Sequence, residues 1–128
     1  SGKVVLIGRV GEYCGVVHFV DQDIWITDNC LYTKAFSKND NISFFSFLLE
    51  YYQLDRLRNK GGQPLVSQKP ILNFKIIKPK LEEQIKISKI LKKCDFELVY
   101  LKLRLEKLKR QKRGLMQQLL TGKKRVKI

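Results

Sequence analysis

Histidine is almost missing from this chain of 128 residues: His18 stands alone. Cysteine is sparse as well, and Cys14, Cys30 and Cys94 are far apart with no C-x-x-C spacing. These two scarcities argue against a zinc site, so no metal is expected. An odd number of scattered thiols suits a reducing compartment, and a cytoplasmic location is expected. No apolar run approaches the ~20 residues that a membrane span needs. Residues 1–10 lack a charged start followed by a long apolar core, so no secretory signal is read. There are no paired carboxylates in a shared motif and no G-x-x-x-x-G-K-[ST] loop, which excludes the usual enzyme constellations. The chain is expected to be no enzyme and to need no cofactor.

Acidic residues are the last scarcity, with 12 Asp and Glu against 26 Lys and Arg, a net charge of +14. The imbalance is uneven. Residues 78–128 hold 17 basic and 5 acidic side chains, and residues 1–77 hold 9 and 7. Nearly all of the excess therefore lies in the last two-fifths of the chain, where such a field favours a polyanionic partner. A solvated helix exterior is the plainer alternative.

What is present in quantity is a stripe of apolar residues in that same region. Ile87, Leu91, Cys94, Leu98, Leu101, Leu105, Leu108, Lys112, Leu115 and Leu119 follow one another at intervals of four and three without a slip. That is the 3.5-residue average of a coiled-coil seam. A helix over residues 81–120 would be about 60 Å long at about 1.5 Å per residue. Such a rod is too long for one small domain to cover, so a partner helix is implied. Lys112 is polar at a seam position, which fixes register or orientation at some cost, unless it snorkels near a frayed end.

Upstream the pattern is mixed. Residues 3–10 read as a strand whose near-continuous run Val4-Val5-Leu6-Ile7 suggests burial on both faces. Gly8, Gly11 and Gly15 punctuate a compact loop, residues 16–20 form a second strand, and residues 30–36 a third. Residues 42–57 then carry Phe44, Phe45, Leu48, Tyr51, Leu54 and Leu57 at helical spacing, with Asn39, Asp40 or Asn41 as N-cap. Asn59 to Pro64 stops this helix. Ser67 is placed to cap one turn over residues 68–72, residues 74–77 suggest a short strand, and Pro79 leads into the long helix. Asp95 is a plausible second N-cap, so a break near residues 94–95 is expected. Thr121-Gly122 ends the helix. The fold class is therefore α+β: a small body of sheet and helix over residues 1–78, a long helical arm over 79–122, and a basic tail over 123–128.

Four segments carry a resemblance. Pro79-Lys80-Leu81-Glu82-Glu83-Gln84-Ile85, followed by Ile90-Leu91 and Asp95, resembles the opening of the long helix in the DNA-specificity (S) subunits of type I restriction–modification systems. Lys112-Arg113-Gly114-Leu115-Met116-Gln117-Gln118-Leu119-Leu120-Thr121-Gly122-Lys123 looks like the closing motif of the same family. Leu6-Ile7-Gly8-Arg9-Val10-Gly11 through Gly15 resembles its strand and glycine loop. Gly61-Gly62-Gln63-Pro64-Leu65-Val66-Ser67-Gln68 resembles a loop of its recognition domain. The segments occur in the family's order across residues 6–123.

The resemblance implies a non-catalytic subunit that binds double-stranded DNA and recruits methyltransferase (modification) and restriction subunits. The family's usual subunit has two target-recognition domains separated by two long helices that pair as an antiparallel ruler. This chain has one such helix, and its body resembles the C-terminal half of one recognition domain. Two copies pairing their arms, a homodimer, would rebuild the ruler. The competing expectation is a structural fragment that pairs with a full-length specificity subunit without reading DNA. An RNA-binding reading is disfavoured, because the aromatics of residues 44–52 lie on an apolar helix face and form no stacking platform.

The candidate DNA contacts are Arg9, beside the glycine loop, and Lys60, Gln63, Ser67, Gln68 and Lys69 around the Gly61-Gly62 turn. Glutamine pairs with adenine in bidentate fashion, lysine meets guanine or phosphate, and glycines let the backbone approach a duplex. The plainer alternatives are an ordinary surface loop and, for Arg9, a strand-end salt bridge. The run Lys107 to Arg113 and the tail Lys123-Lys124-Arg125 could touch phosphate or serve as a solvated face.

Overall fold

The structure is a computed structural model that describes residues 2–59 and 61–127. It is α+β. Three short strands, β1 (Val4–Gly8), β2 (Val17–Val20) and β3 (Cys30–Tyr32), form an antiparallel sheet in the order β2-β1-β3. Val4 pairs with Val20 and Ile7 with Val17 on one side of β1, and Ile7 pairs with Leu31 on the other. Three helices follow: α1 (Ile42–Tyr51), α2 (Gln68–Leu72) and α3 (Leu81–Leu120), with a 3-10 turn at Leu54–Leu57 between the first two. The chain divides into two compact units, Ser1–Lys89 and Ile90–Ile128. None of its described helices is long and apolar enough to cross a membrane.

The core of the first unit is small, as a body of this size dictates. Val5 and Ile7 on alternate positions of β1 are buried with Cys14, Phe44, Phe45, Leu54 and Val66. Val4 and Leu6, the other face of the strand, are only half-buried. Burial on both faces is thus not met, because α1 covers one face of the sheet and no described element covers the other to the same depth. Phe44 and Phe45 stack edge to face at 5.4 Å, and Phe36 sits 6.2 Å from Phe45. Such aromatic pairs add to the area that they bury.

Several boundaries differ from the sequence pattern. The first strand stops at Gly8, and Val10 instead makes an isolated bridge to Leu65. The third stops at Tyr32, because Thr33 turns its own side chain onto the sheet, where Thr33 Oγ1 accepts from Val5 N–H at 3.1 Å. The helix expected over residues 42–57 breaks after Tyr51, since Gln53 adopts a left-handed φ of 52° and the chain restarts as the 3-10 turn. No strand forms at residues 74–77: Phe74 packs edge-on against Tyr52 at 5.1 Å, Ile77 is exposed, and no described segment pairs with them. Nor does α3 break near residues 94–95; one helix runs through, since Asp95 at an interior position costs only a few tenths of a kcal/mol, roughly.

Other local expectations are met. Asn41 is the N-cap of α1, and its Oδ1 accepts from Phe44 N–H at 2.9 Å. Ser67 occupies the N-cap position of α2, although its hydroxyl makes no capping bond. Glu82 and Glu83 lie in the first turn of α3, where the helix dipole favours negative charge. At the other end Gly122 takes a φ of 73°, and its N–H donates to Leu119 O at 3.2 Å, closing the helix.

Candidate functional site

The glycine loop is built from the backbone outward. Gly8 N–H donates to Val16 O and Gly15 N–H to Gly8 O, which draws residues 8–16 into a closed loop. A side chain at Gly15 would strike the backbone of Asp55 at 2.3 Å, and its φ is 84°. The loop therefore seats directly on the 3-10 turn. That turn is anchored by Leu54, 1% exposed, and stiffened by Arg58, which donates to Asp55 Oδ2 at 2.9 Å.

From this base the chain enters the second loop of interest. Asn59 closes it: its Nδ2 donates to Gly61 O at 2.7 Å, and its Oδ1 accepts from Leu65 N–H at 2.9 Å. Asn59 N–H also donates to Leu65 O at 3.0 Å. One side chain thus holds both ends of a turn whose crest is Gly61, Gly62 and Gln63, all exposed. Gly62 needs its left-handed φ of 72°, and a side chain there would meet nothing within 4 Å.

The two loops are joined. Val10 bridges Leu65 in antiparallel fashion, Gly11 N–H donates to Pro64 O at 3.0 Å, and Val66 N–H donates to Arg9 O at 2.8 Å. Arg9 is fixed from three sides, since its own N–H donates to Asn29 O at 2.8 Å and its carbonyl also accepts from Cys14 Sγ at 3.3 Å. Its side chain is half-buried; Nη1 reaches Asp28 O at a long 3.5 Å, and Nε is enclosed without a hydrogen-bond partner among the described residues.

The structure therefore sets Arg9 beside residues 64–66, with Gln63 before and Ser67 after them, both exposed. Gln68 and Lys69 follow in the first turn of α2 and are exposed. Lys60 lies outside the described residues. His18 is exposed on β2, opposite Leu6, and Tyr13 is exposed on the glycine loop.

The seam occupies the other region. Ile87 is half-buried within the first unit; Leu91, Cys94, Leu98, Leu101, Leu105, Leu108, Lys112, Leu115 and Leu119 are all exposed. Every residue from 93 to 120 is exposed, so no described part of the chain covers this face. Leu108, Leu115, Met116 and Leu119 border a shallow apolar cleft near the helix end. A second, shorter patch, Phe96, Val99, Tyr100 and Leu103, is also exposed. Its i, i+3, i+4, i+7 spacing places it on the face opposite the seam.

Two residues that matter were not singled out by composition or spacing. Asn59 reads in the sequence only as a helix stop, and its clamp depends on a partner six residues later. Gln84, inside the Glu82-Glu83-Gln84 segment, is completely buried, with Oε1 accepting from Asn41 N–H at 2.9 Å. The step of three before Ile87 puts it in line with the seam, but periodicity does not record that its own unit covers it. Among the described residues no group of His, Cys, Asp and Glu is arranged to hold a metal ion.

A family model described as the type I restriction modification DNA specificity domain matches residues 1–110. The chain is also 29% identical over 95 residues to the Type I restriction enzyme EcoprrI specificity subunit of Escherichia coli. That alignment covers 74% of this chain and 23% of the subunit, so the chain spans about a quarter of that relative's length.

Proposed function

This chain belongs to the type I restriction–modification DNA specificity domain family, and we propose that it is a DNA-binding fragment of a specificity subunit that dimerises through α3. It contributes recognition and assembly, and no chemistry. The observation that carries the DNA part is the backbone pairing of residues 9–11 with residues 64–66. We read Arg9, Gln63, Ser67, Gln68 and Lys69, with Lys60, as one DNA-facing rim, because the pairing sets Arg9 beside residues 64–66, which Gln63 precedes and Ser67 follows. A guanidinium, an amide and exposed backbone at a glycine turn are suited to phosphate and base edges of double-stranded DNA. The excess positive charge of residues 78–128 supplies long-range attraction to it.

Pairing of two α3 helices in antiparallel fashion would hold two such rims apart, each over half of a split site. Methyltransferase and restriction subunits are the further partners, and the patch of Phe96, Val99, Tyr100 and Leu103 offers them a surface that seam pairing leaves free. The work is placed in the cytoplasm, where DNA and these partners meet. Selection of duplexes from a random pool, followed by affinity against salt, tests the proposal. A preferred sequence that survives physiological salt supports it, and binding that disappears there without sequence preference overturns the DNA-reading part.

A second reading rests on the uncovered seam itself. A fragment whose dominant exposed feature is a helix face could serve assembly alone, pairing with a full-length specificity subunit without reading DNA. Dimer formation with no sequence preference in the same experiments would favour that reading.

A further inference from the structure

The seam of α3 reads the same from either end, as a regular series of fours and threes must, and its two odd residues, which the spacing does not constrain, are placed symmetrically as well. From Ile87 to Leu119 the intervals run 4, 3, 4, 3, 4, 3, 4, 3, 4, which is the same sequence of steps in either direction. A copy turned end for end about Leu103 therefore sets every seam residue opposite another seam residue. Ile87 meets Leu119 of the partner, leucines meet leucines in between, and Cys94 meets Lys112 of the partner. Cys94 and Lys112 are the two seam positions without a leucine or isoleucine, and both lie nine residues from Leu103.

The ends of the seam agree with this register. The next seam position before Ile87 is Gln84, which is 0% exposed because residues of its own unit cover it. Its counterpart would be Gly122, which has no side chain and follows the last helical residue, Leu120. The helix of each chain thus stops where the seam of the other is already occupied.

Alternative alignments fail on the same residues. Sliding one heptad so that Cys94 faces Leu105 improves the flanking charges, bringing Asp95 and Glu97 against Lys102 and Arg104 of the partner. It also drives Leu115 of the partner onto Gln84, a position that is already covered. A few exposed ion pairs are worth little beside leucines denied their burial. Sliding the other way sets Cys94 against Leu119 and carries Ile87 and Leu91 beyond the end of the partner's helix. A parallel pair would stack Lys112 on Lys112 inside the seam.

We propose that the partner of this face is a second copy of the chain, antiparallel and in the one register centred on Leu103, with Cys94 beside Lys112 of the partner at two symmetric places. The proposal rests on the dimer reading above and narrows it. Asp95 then faces Lys109 of the partner, which favours this pairing. Lys102 and Arg104 each face their own copy near the axis, which opposes it. The starts of the two helices, both Leu81, are about 66 Å apart along the seam at about 1.5 Å per residue.

Short-span bismaleimide linking of thiols tests the register, in the full chain carrying Cys30→Ser so that Cys94 is its exposed native thiol. Lys112→Cys, Leu105→Cys and Leu119→Cys are compared, with the mass of each variant in solution measured alongside. Lys112→Cys is expected to shift the chain from a monomer band to a covalent dimer band, and adding Cys94→Ser should abolish that shift. Leu105→Cys lies two residues from the axis, about 6 Å along the seam from its own copy, and links to it with or without Cys94, whereas Leu119→Cys and the Cys94 parent should stay unlinked. Linking of Leu105→Cys that Cys94→Ser abolishes, or linking through Leu119→Cys or Cys94 alone, overturns the register while a dimeric mass leaves the dimer reading standing. Monomeric masses throughout overturn both.

Discussion

Gln84 completes the N-cap of a helix 43 residues earlier in the chain, at Asn41. Its Oε1 accepts from Asn41 N–H at 2.9 Å while Asn41 Oδ1 accepts from Phe44 N–H at 2.9 Å. This is the reciprocal logic of a capping box, with the second partner supplied by another helix. Gln84 Nε2 donates to Pro79 O at 2.8 Å, so both ends of the buried amide are satisfied. Lys78 and Asp40, paired at 2.6 Å, hold the same two segments together one step outward. The start of α3 is thereby locked to the start of α1.

Removing that amide leaves a buried donor and a buried acceptor unpaired. Gln84→Ala is expected to cost about 2–4 kcal/mol of stability, read from urea unfolding. Lys78→Ala, which breaks an exposed-to-half-buried ion pair, should cost less than about 1 kcal/mol. Equal effects of the two substitutions would show that the amide is no anchor.

Two of the left-handed glycines in the joined loops, Gly15 and Gly62, separate a steric role from a conformational one. Gly15→Ala carries the φ penalty and drives a methyl into the Asp55 backbone, so a loss of about 2–4 kcal/mol is expected. Gly62→Ala meets open space and should cost about 1 kcal/mol. Thermal melting of both variants checks the order, and a reversed order would contradict the close approach at Gly15.

Asn59 holds the Gly61–Leu65 turn closed without contributing much core. Asn59→Ala should lower global stability by only about 1 kcal/mol and loosen the turn, seen as faster amide exchange at Leu65. If that turn reads DNA, affinity for a selected duplex falls together with that protection, and Gln63→Ala lowers it without changing the exchange.

Like charges near the proposed two-fold axis make a distinct signature. Raising salt should tighten the dimer, and Lys102→Gln combined with Arg104→Gln should do so by about 1 kcal/mol at low salt. Sedimentation equilibrium provides the measurement. A dimer that weakens in both cases would place these residues away from the axis.

Much of this was legible in residue order. The stripe from Ile87 to Leu119, the stop at Thr121-Gly122 and the turns at Gly11, Gly15 and Gly62 are local properties, set by side-chain period and by the φ values that glycine permits. The α+β class and the start of α3 after Pro79 are of the same kind. Residues 74–77 and the break expected at residues 94–95 misled because their apolar or capping signals are also local, and neighbours outweighed them: Tyr52 captured Phe74, and the helix ran on through Asp95.

The sequence by itself determined where helices and turns could form and which residues make the apolar face of α3, since each depends on residues a few positions apart. Only the tertiary structure decided that residues 9–11 pair with residues 64–66, that Asn59 clamps the crest between them, and that Gln84 fills the seam's first position from within its own unit. Those depend on backbone groups brought together from 53 to 57 residues away, or on one hydrogen-bonding side chain among several of the same kind, and no periodicity records which groups will meet.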